Sequence, residues 1–475
     1  MRRLIRSRSL ISISFLAWAA WPTGALGMTP VRTKVGDQYR VVNSSRFKGW
    51  AETALPDEKP SPAGSKTPPP PKELNRTEFS GSSKVVFRER QLPSAPPADG
   101  TRLFRAYDIV EYARNLGEQE EKARLRQQVR RVLLDPMEKG FVIYSPDGPM
   151  RLAELSMLAD HSHLPLLETF LPEKELKVGD TWPADSKALV ELTGLDSVES
   201  GSVECKYEGE VTIQDIPYAQ ISATGSFIGI TGGQRSRCNL RAGLYLDAKT
   251  NRFVSMRAVG KQETLGPEDK VLGEVQVDFQ VLIEPADNDK ELNDQVVTKL
   301  PTQATPDLLR LVFELPEKGF RLVHGRQWIL QRVDGDRFFF AGPNVSFVVT
   351  LEPEDKVPTV ESYRDQVAHY MKDQKIETKP SQPPETKEID GLSLSHFQYQ
   401  AKIKDRPSLL DYWVLSMGNR GLTIASNAAD PAPEGVLADL SAMIARIELF
   451  DPITPEEPPA DRLANPSAKG EPESK

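Results

Sequence analysis

Prolines decide how this chain can be divided. A proline has no backbone N–H to give to a helix or a sheet ladder, so a cluster of them ends regular structure. The sequence holds 39 in 475 residues, and three regions shape the division. Residues 54–76 carry Pro56, Pro60, Pro62 and the run Pro68 to Pro71, with Ser, Lys and Glu between. That composition predicts a stiff, extended spacer, and the whole of 28–76 is expected to be disordered. A second break, 286–306, follows Glu284-Pro285 and carries Asp287, Asn288, Asp289, Pro301 and Pro306; it reads as a linker. From Asp451 to residue 475 the tail is Pro- and Glu-rich with almost no apolar residues, and is expected to be unfolded. Two folded blocks remain, 77–285 and 307–450. The length agrees with two domains, since one core rarely serves so long a chain.

Residues 1–27 read as an address. Arg2, Arg3, Arg6 and Arg8 form a basic head, an apolar run extends from Leu10 to Trp21, Pro22 breaks it, and Ala25-Leu26-Gly27 offers small residues for cleavage. This is the pattern of a secretory signal peptide. Its apolar run of about a dozen residues is too short for a stable span, and no Cys follows it to take a lipid. The expected protein is exported, secreted or periplasmic, with no integral membrane segment after cleavage. Loss of four arginines leaves 56 basic against 68 acidic residues, a net charge of −12 in place of −8. So acidic a chain is a poor partner for nucleic acid, whose phosphates need clustered Lys and Arg. Arg124, Arg126, Arg130 and Arg131 do cluster, but they follow Glu118, Glu120 and Glu121 and read as a solvated face.

The first block reads as long antiparallel strands: Val85 to Phe87, Leu103 to Tyr112, Val129 to Leu134 and Phe141 to Tyr144, with one helix at Pro149 to Leu158. A meander follows. Val203 to Ile213 turns at Asp215 into Tyr218 to Ile230, which turns at Gly232-Gly233 into Arg237 to Asp247; Phe253 to Val259 and Gly273 to Ile283 complete it. In the last strand Val275, Val277, Phe279, Val281 and Ile283 alternate, giving one buried and one wet face. Cys205 and Cys238 then flank a middle strand roughly 10 Å apart at about 4.8 Å per strand step. A disulfide needs Cα atoms within about 7 Å, so a simple meander argues against a bridge, although a bulge or another strand order would undo the count.

In the second block a hairpin is expected around Asp334-Gly335, a strand at Val345 to Leu351, and a helix capped by Thr359 with Val360, Tyr363, Val367, Tyr370 and Met371 on one face. The apolar phase moves from Leu392 and Leu394 to Phe397, Tyr399, Ala401 and Ile403, which predicts a bulge near His396. Gly418 to Gly421 marks a hairpin, and Val436, Leu440, Met443, Ile444 and Ile447 mark a closing helix. This element order, with Tyr412-Trp413-Val414-Leu415 followed by Leu422-Thr423-Ile424, resembles the PsbP and Mog1 superfamily over about 140 residues. The resemblance implies a three-layer α/β/α sandwich and a role in protein binding or assembly. The first block is similar to the lipoprotein-carrier (LolA-like) fold, which implies a curved sheet over a helix and a cavity for an apolar guest. The expected fold class is therefore α+β: a β-rich domain of long antiparallel strands with a helix, then a sandwich-like domain. Glu138-Lys139-Gly140-Phe141 and Glu317-Lys318-Gly319-Phe320 repeat one phrase, read as the same turn used twice.

Chemistry is sparse. His161 and His163 are the only close histidine pair, with no third ligand pattern beside them. His369 lies off the apolar face of its helix. Gly225-Ser226-Phe227-Ile228-Gly229 lacks the spacing of a serine-hydrolase elbow, and no phosphate-binding loop or dinucleotide fingerprint occurs. Asn43, Asn75 and Asn344 begin glycosylation sequons. Trp182 in Gly179-Asp180-Thr181-Trp182-Pro183 reads as closing a turn onto a sheet, with a binding role as the alternative; Trp328 and Trp413 read as core. No catalytic, cofactor-binding or metal residue is selected. The expected function is a non-enzymatic envelope protein that binds or assembles other proteins. The alternatives are carriage of an apolar or lipid ligand by the N-terminal sheet, and a hydrolase with scattered residues.

Overall fold

The computed structural model describes residues 27–54, 74–94, 101–137, 140–159, 163–286, 289–389, 391–418, 420–432 and 435–453. The expected leader, the prolines at 56–71 and most of the acidic tail lie outside them, as does His161. The chain forms two compact units, one of residues 1–33 with 163–280 and the other of 34–162 with 281–475.

The larger unit opens with β1 (Gln38–Ala54), β2 (Leu74–Pro93), β3 (Thr101–Leu116), β4 (Gln119–Arg124), β5 (Arg131–Pro136), β6 (Phe141–Tyr144) and α1 (Leu152–Ala159). β1 pairs with β2, β2 with β3, and β3 with both β4 and β5. β1 corrects the expectation of disorder over 28–76: although that stretch shows no long period, Tyr39, Val41 and Asn43 are buried at alternate positions. Leu92, Phe104, Ala106, Leu133, Tyr144 and Leu292 form a core on one face of these strands.

In the smaller unit come α2 (Leu164–Leu167), β7 (Thr181–Pro183), α3 (Ser186–Thr193), and the meander β8 (Ser197–Ile213), β9 (Ile216–Thr231), β10 (Gln234–Asp247) and β11 (Phe253–Leu265); β12 (Val271–Pro285) crosses the unit boundary. The side chain of Asp185 accepts a hydrogen bond from Lys187 N, and Gly194 ends α3 in the left-handed region at φ 67°, the two devices that close helix termini. Cys205 pairs with Ala223 and Cys238 with Phe227 on opposite sides of β9. Both cysteines are free.

The larger unit continues through α4 (Asp294–Val297), β13 (Leu311–Leu315), β14 (Phe320–His324), β15 (Ile329–Asp334), β16 (Arg337–Gly342), β17 (Val345–Glu352), α5 (Val360–Asp373), β18 (Thr378–Ile389), β19 (Leu392–Ile403), β20 (Arg406–Met417), β21 (Arg420–Ala429), α6 (Val436–Ile444) and β22 (Glu448–Leu449). The segment read as a linker is docked. Leu292 is buried in the core just described, Arg88 bonds Asp289, and Arg90 bonds Asp294 and the Leu292 carbonyl.

The expected fold class is overturned. The protein is mostly β, 58% strand against 15% helix, in three antiparallel sheets. A seven-stranded sheet runs β15-β16-β17-β21-β20-β19-β18, and a three-stranded one runs β13-β14-β22. At this strand content neither the α+β class nor the α/β/α sandwich describes it. The apolar phase change in β19 has a different cause from the one expected. Its pairing with β20 is regular through His396. Leu392 and Leu394 belong to the core that includes Leu440 and Met443 of α6, whereas Phe397 and Tyr399 belong to the core that includes Val367 and Met371 of α5. One strand thus serves a covered face on each side. The register shifts lie in the β18 pairing, beside Pro380, Pro383 and Pro384. Gly140 and Gly319, the repeated phrase, both take positive φ, 74° and 61°.

Of the four clustered arginines, Arg124 is exposed as expected, whereas Arg126 turns into a buried charge cluster. Glu314, with a side chain 9% exposed, accepts from Arg126, Arg151 and Arg321, and Arg126 also grips Glu154 of α1. Burial alone would raise the Glu314 pKa; Arg151, Arg126 and Arg321 outweigh it and hold the carboxyl below its ordinary 4.5. A depressed carboxyl stabilises the fold above its unfolded value and loses that contribution as pH falls through the folded one. Glu314→Gln is therefore expected to cost about 2 kcal/mol at pH 7, with the gap to wild type closing as pH falls below about 4.5. Urea denaturation of both proteins across pH 3–7, read by circular dichroism, measures it.

Candidate functional site

The site begins with a bulge. Val86 pairs with Ile109 but Phe87 pairs with Tyr107, so Asp108 is an extra residue in β3. An inserted residue resets the two-residue alternation. Arg105 and Tyr107 before it and Val110 and Tyr112 after it therefore share one face, although their numbers differ in parity. Up to the bulge that face is closed. Arg105 Nε donates to Glu89 Oε2 at 2.7 Å, both side chains are 0% exposed, and the guanidinium lies 4.3 Å over the Phe87 ring. Burial opposes the Arg105 charge, but Tyr107 and Glu89 more than offset it and hold the pKa above its usual value.

Past the bulge the face opens. A cleft of about 280 Å³ is lined by Ser45 and Phe47 of β1, Ser83 and Val85 of β2, Val110, Glu111 and Tyr112 of β3, and Met157 of α1. Val85, Val110 and Met157 are buried; Ser45, Phe47, Ser83 and Tyr112 are half-buried. Ser45 faces Ser83 across the strand pair, their hydroxyl oxygens 2.9 Å apart. Phe47 lies across β2 at Gly81 and packs on Tyr112 with ring centroids 6.3 Å apart. A Cβ on Gly81 would stand 2.4 Å from Phe47 Cζ and 2.6 Å from the Ala113 carbonyl. The glycine is what lets the ring lie down. At the rim Arg114, held above its usual pKa chiefly by its bond to Glu121, stands beside Tyr112.

The cleft holds no histidine or cysteine. Such an arrangement excludes water from an apolar guest and offers a few polar groups to orient it, the usual make-up of a small-molecule site. The sequence marks Val85, Val110, Glu111 and Tyr112 only as strand positions and Met157 only as part of a helix, while Ser45, in the Asn43 sequon, and Phe47 lie in the stretch expected to be disordered. The bulge carries no Gly or Pro to announce it, and Ser45 and Ser83 look like wet-face residues.

The residues that did stand out lie apart. His163 bonds Glu191 through Nδ1 at 2.9 Å. His369, well exposed, pairs with Asp373 one helical turn on. His324 is buried, and that burial depresses its pKa. His396 Nε2 lies 2.9 Å from Asp411 Oδ1 and its ring stacks on Trp413; Ser426 stands opposite Asp411 on β21. No bond links Ser426 to His396, so the trio lacks the nucleophile–base contact of a hydrolase. Among the described residues no three His, Cys, Asp or Glu side chains gather as a metal site. Burial pushes the Cys205 thiol up to about 12 and Cys238 up to about 11, which leaves both as poor nucleophiles at neutral pH. Trp182 closes its turn, donating Nε1–H to the Phe170 carbonyl at 2.8 Å, and Trp328 and Trp413 are core. Asn43, the first sequon residue, is buried mid-strand.

No family model and no curated protein matches the chain. A PsbP-like similarity covers 30% of it: the solution structure of cyanobacterial PsbP (CyanoP) from Synechocystis matches over 92% of its own length at 14% identity and a TM-score of 0.25. The translocator domain of the autotransporter NalP from Neisseria meningitidis matches over 83% of this chain and 88% of its own at 8% identity, TM-score 0.11. OccK5 (OpdH) from Pseudomonas aeruginosa matches over 82% and 96% at 7% identity, TM-score 0.12. The likeness to lipoprotein carriers has no counterpart among these structures. Overlaps this slight carry no argument about fold or function.

Replacing Gly81 tests the floor of the cleft. Gly81→Ala is expected to lower stability by about 1–3 kcal/mol through overpacking and to change the near-UV signal of Tyr112. Gly243→Ala, whose Cβ meets nothing nearer than 3.6 Å, should leave both unchanged. Urea melts and near-UV circular dichroism read the two effects.

Proposed function

We propose that the chain is an exported, non-catalytic binding protein that holds a small apolar ligand in the β1–β3 cleft. The observation that carries this reading is the wall formed by Phe47, Val85, Val110, Tyr112 and Met157, open to solvent on one side and with no histidine, cysteine or lysine among the lining residues. The leader pattern of residues 1–27 supports export. Assembly of other envelope proteins, the reading favoured by the acidic composition and Pro-rich ends, has no comparable shape behind it. Among the described residues, Ser426, His396 and Asp411 supply no connected nucleophile and base for the hydrolase reading.

Filling the cleft should abolish binding without unfolding the protein. In Val110→Phe the added ring occupies the apolar end. Affinity for naphthalene, an apolar probe of the cleft's size, is expected to fall at least about tenfold, or about 1.4 kcal/mol, with the far-UV spectrum unchanged. Naphthalene fluorescence titrations of wild type and variant measure this. Equal affinities would place the binding elsewhere.

A further inference from the structure

We propose that the natural ligand is an uncharged, single-chain amphiphile whose hydroxyl or carbonyl group docks on the Ser45–Ser83 pair. The proposal rests on the ligand-binding reading above and names the class of compound bound.

Ser45 and Ser83 face each other across the strand pair, between the Val85–Val110 wall and the Phe47–Tyr112 wall. Their hydroxyls bond each other at 2.9 Å. Two hydroxyls carry two donor hydrogens, and one such bond uses a single hydrogen. The pair therefore keeps one O–H to donate, along with lone pairs to accept. A ligand with one polar end and an apolar body satisfies both kinds of wall at once.

The charge of that polar end follows from its surroundings. No lysine or arginine is among the lining residues; Glu111 borders the cleft, but it stands between Val110 and Tyr112 in regular pairing, so its carboxylate is on the opposite, exposed face. Arg124 is 3.8 Å from Glu111, and Arg114 at the rim is bonded to Glu121. A carboxylate or phosphate would enter the apolar cleft with no lining cation to offset its charge. A neutral head meets no such penalty. Size sets the rest. At about 30 Å³ for each water-sized unit, 280 Å³ holds a chain of about nine non-hydrogen atoms, well short of a two-chain phospholipid.

Displacement of naphthalene from the full chain by 1-octanol, octanoate and 1-chlorooctane tests the proposal. Octanol is expected to displace the probe at lower concentration than octanoate. Ser45→Ala with Ser83→Ala removes both partners of one hydrogen bond, a change that leaves folds nearly unaffected. It should weaken octanol about five- to tenfold while leaving chlorooctane and naphthalene as in wild type, and Ser83→Thr alone, which keeps the hydroxyl, should retain octanol. Octanol unaffected by the double change, or octanoate bound as tightly as octanol, would overturn the proposal and leave the apolar cleft standing. A wild-type protein that takes up neither naphthalene nor octanol would overturn the binding reading itself, and the ligand class with it.

Discussion

A strand travels farther per residue than a helix, and the cleft follows from that inequality. At about 3.3 Å per residue the 20 residues of β2 extend roughly 65 Å, whereas the eight residues of α1 extend about 12 Å at 1.5 Å each. Within residues 34–162 α1 is the one α-helix among the described residues. It cannot cover the whole face that β1, β2 and β3 present. Where it ends, Phe47 and Tyr112 shield the sheet only in part, and Ser45 and Ser83 replace the Val or Ile that a closed core would carry. The opening is thus a consequence of strand length, shaped by the bulge at Asp108 and the glycine at 81.

Buried charge holds the neighbouring parts in register. Arg105 and Glu89 close the inner end of the same face, and removal of either would leave the other as an uncompensated interior charge, at a cost of about 3–5 kcal/mol. Arg126 ties Glu154 at the start of α1 to Glu314 of β13, so the helix that borders the cleft is anchored by the same cluster that anchors the small sheet. Arg102 does similar work at the far edge, bonding Asp135, Tyr144 and the Pro301 carbonyl. These bonds oppose sliding of the strands, which a flat apolar face alone would permit.

Much of the local structure is legible in the sequence. The meander from Val203 to Ile283, its turns at Asp215 and Gly232-Gly233, the Thr359 cap and the closing helix all come from short-range rules, and they lie where those rules put them. What the rules miss depends on distance. Glu89 and Arg105 look solvent-facing until the fold brings them together. β1 lacks a long apolar period because its partners on both sides supply the burial. β18 contains three prolines that argue against a strand, yet as the outermost strand of its sheet it has no second ladder to satisfy. The fold class failed for a related reason: element order in the second block resembles a layered sandwich, and order says little about how much helix covers a sheet. The cleft could not have been read ahead, since its polar pair joins residues 38 positions apart.

Native and then denaturing mass spectrometry of the protein purified after export tests the central claim most directly. The account predicts one discrete mass lost on denaturation, belonging to a neutral single-chain compound that reloads into stripped protein and is excluded by Val110→Phe. A single bare mass in both spectra, with no uptake of any apolar compound by the stripped protein, would contradict it.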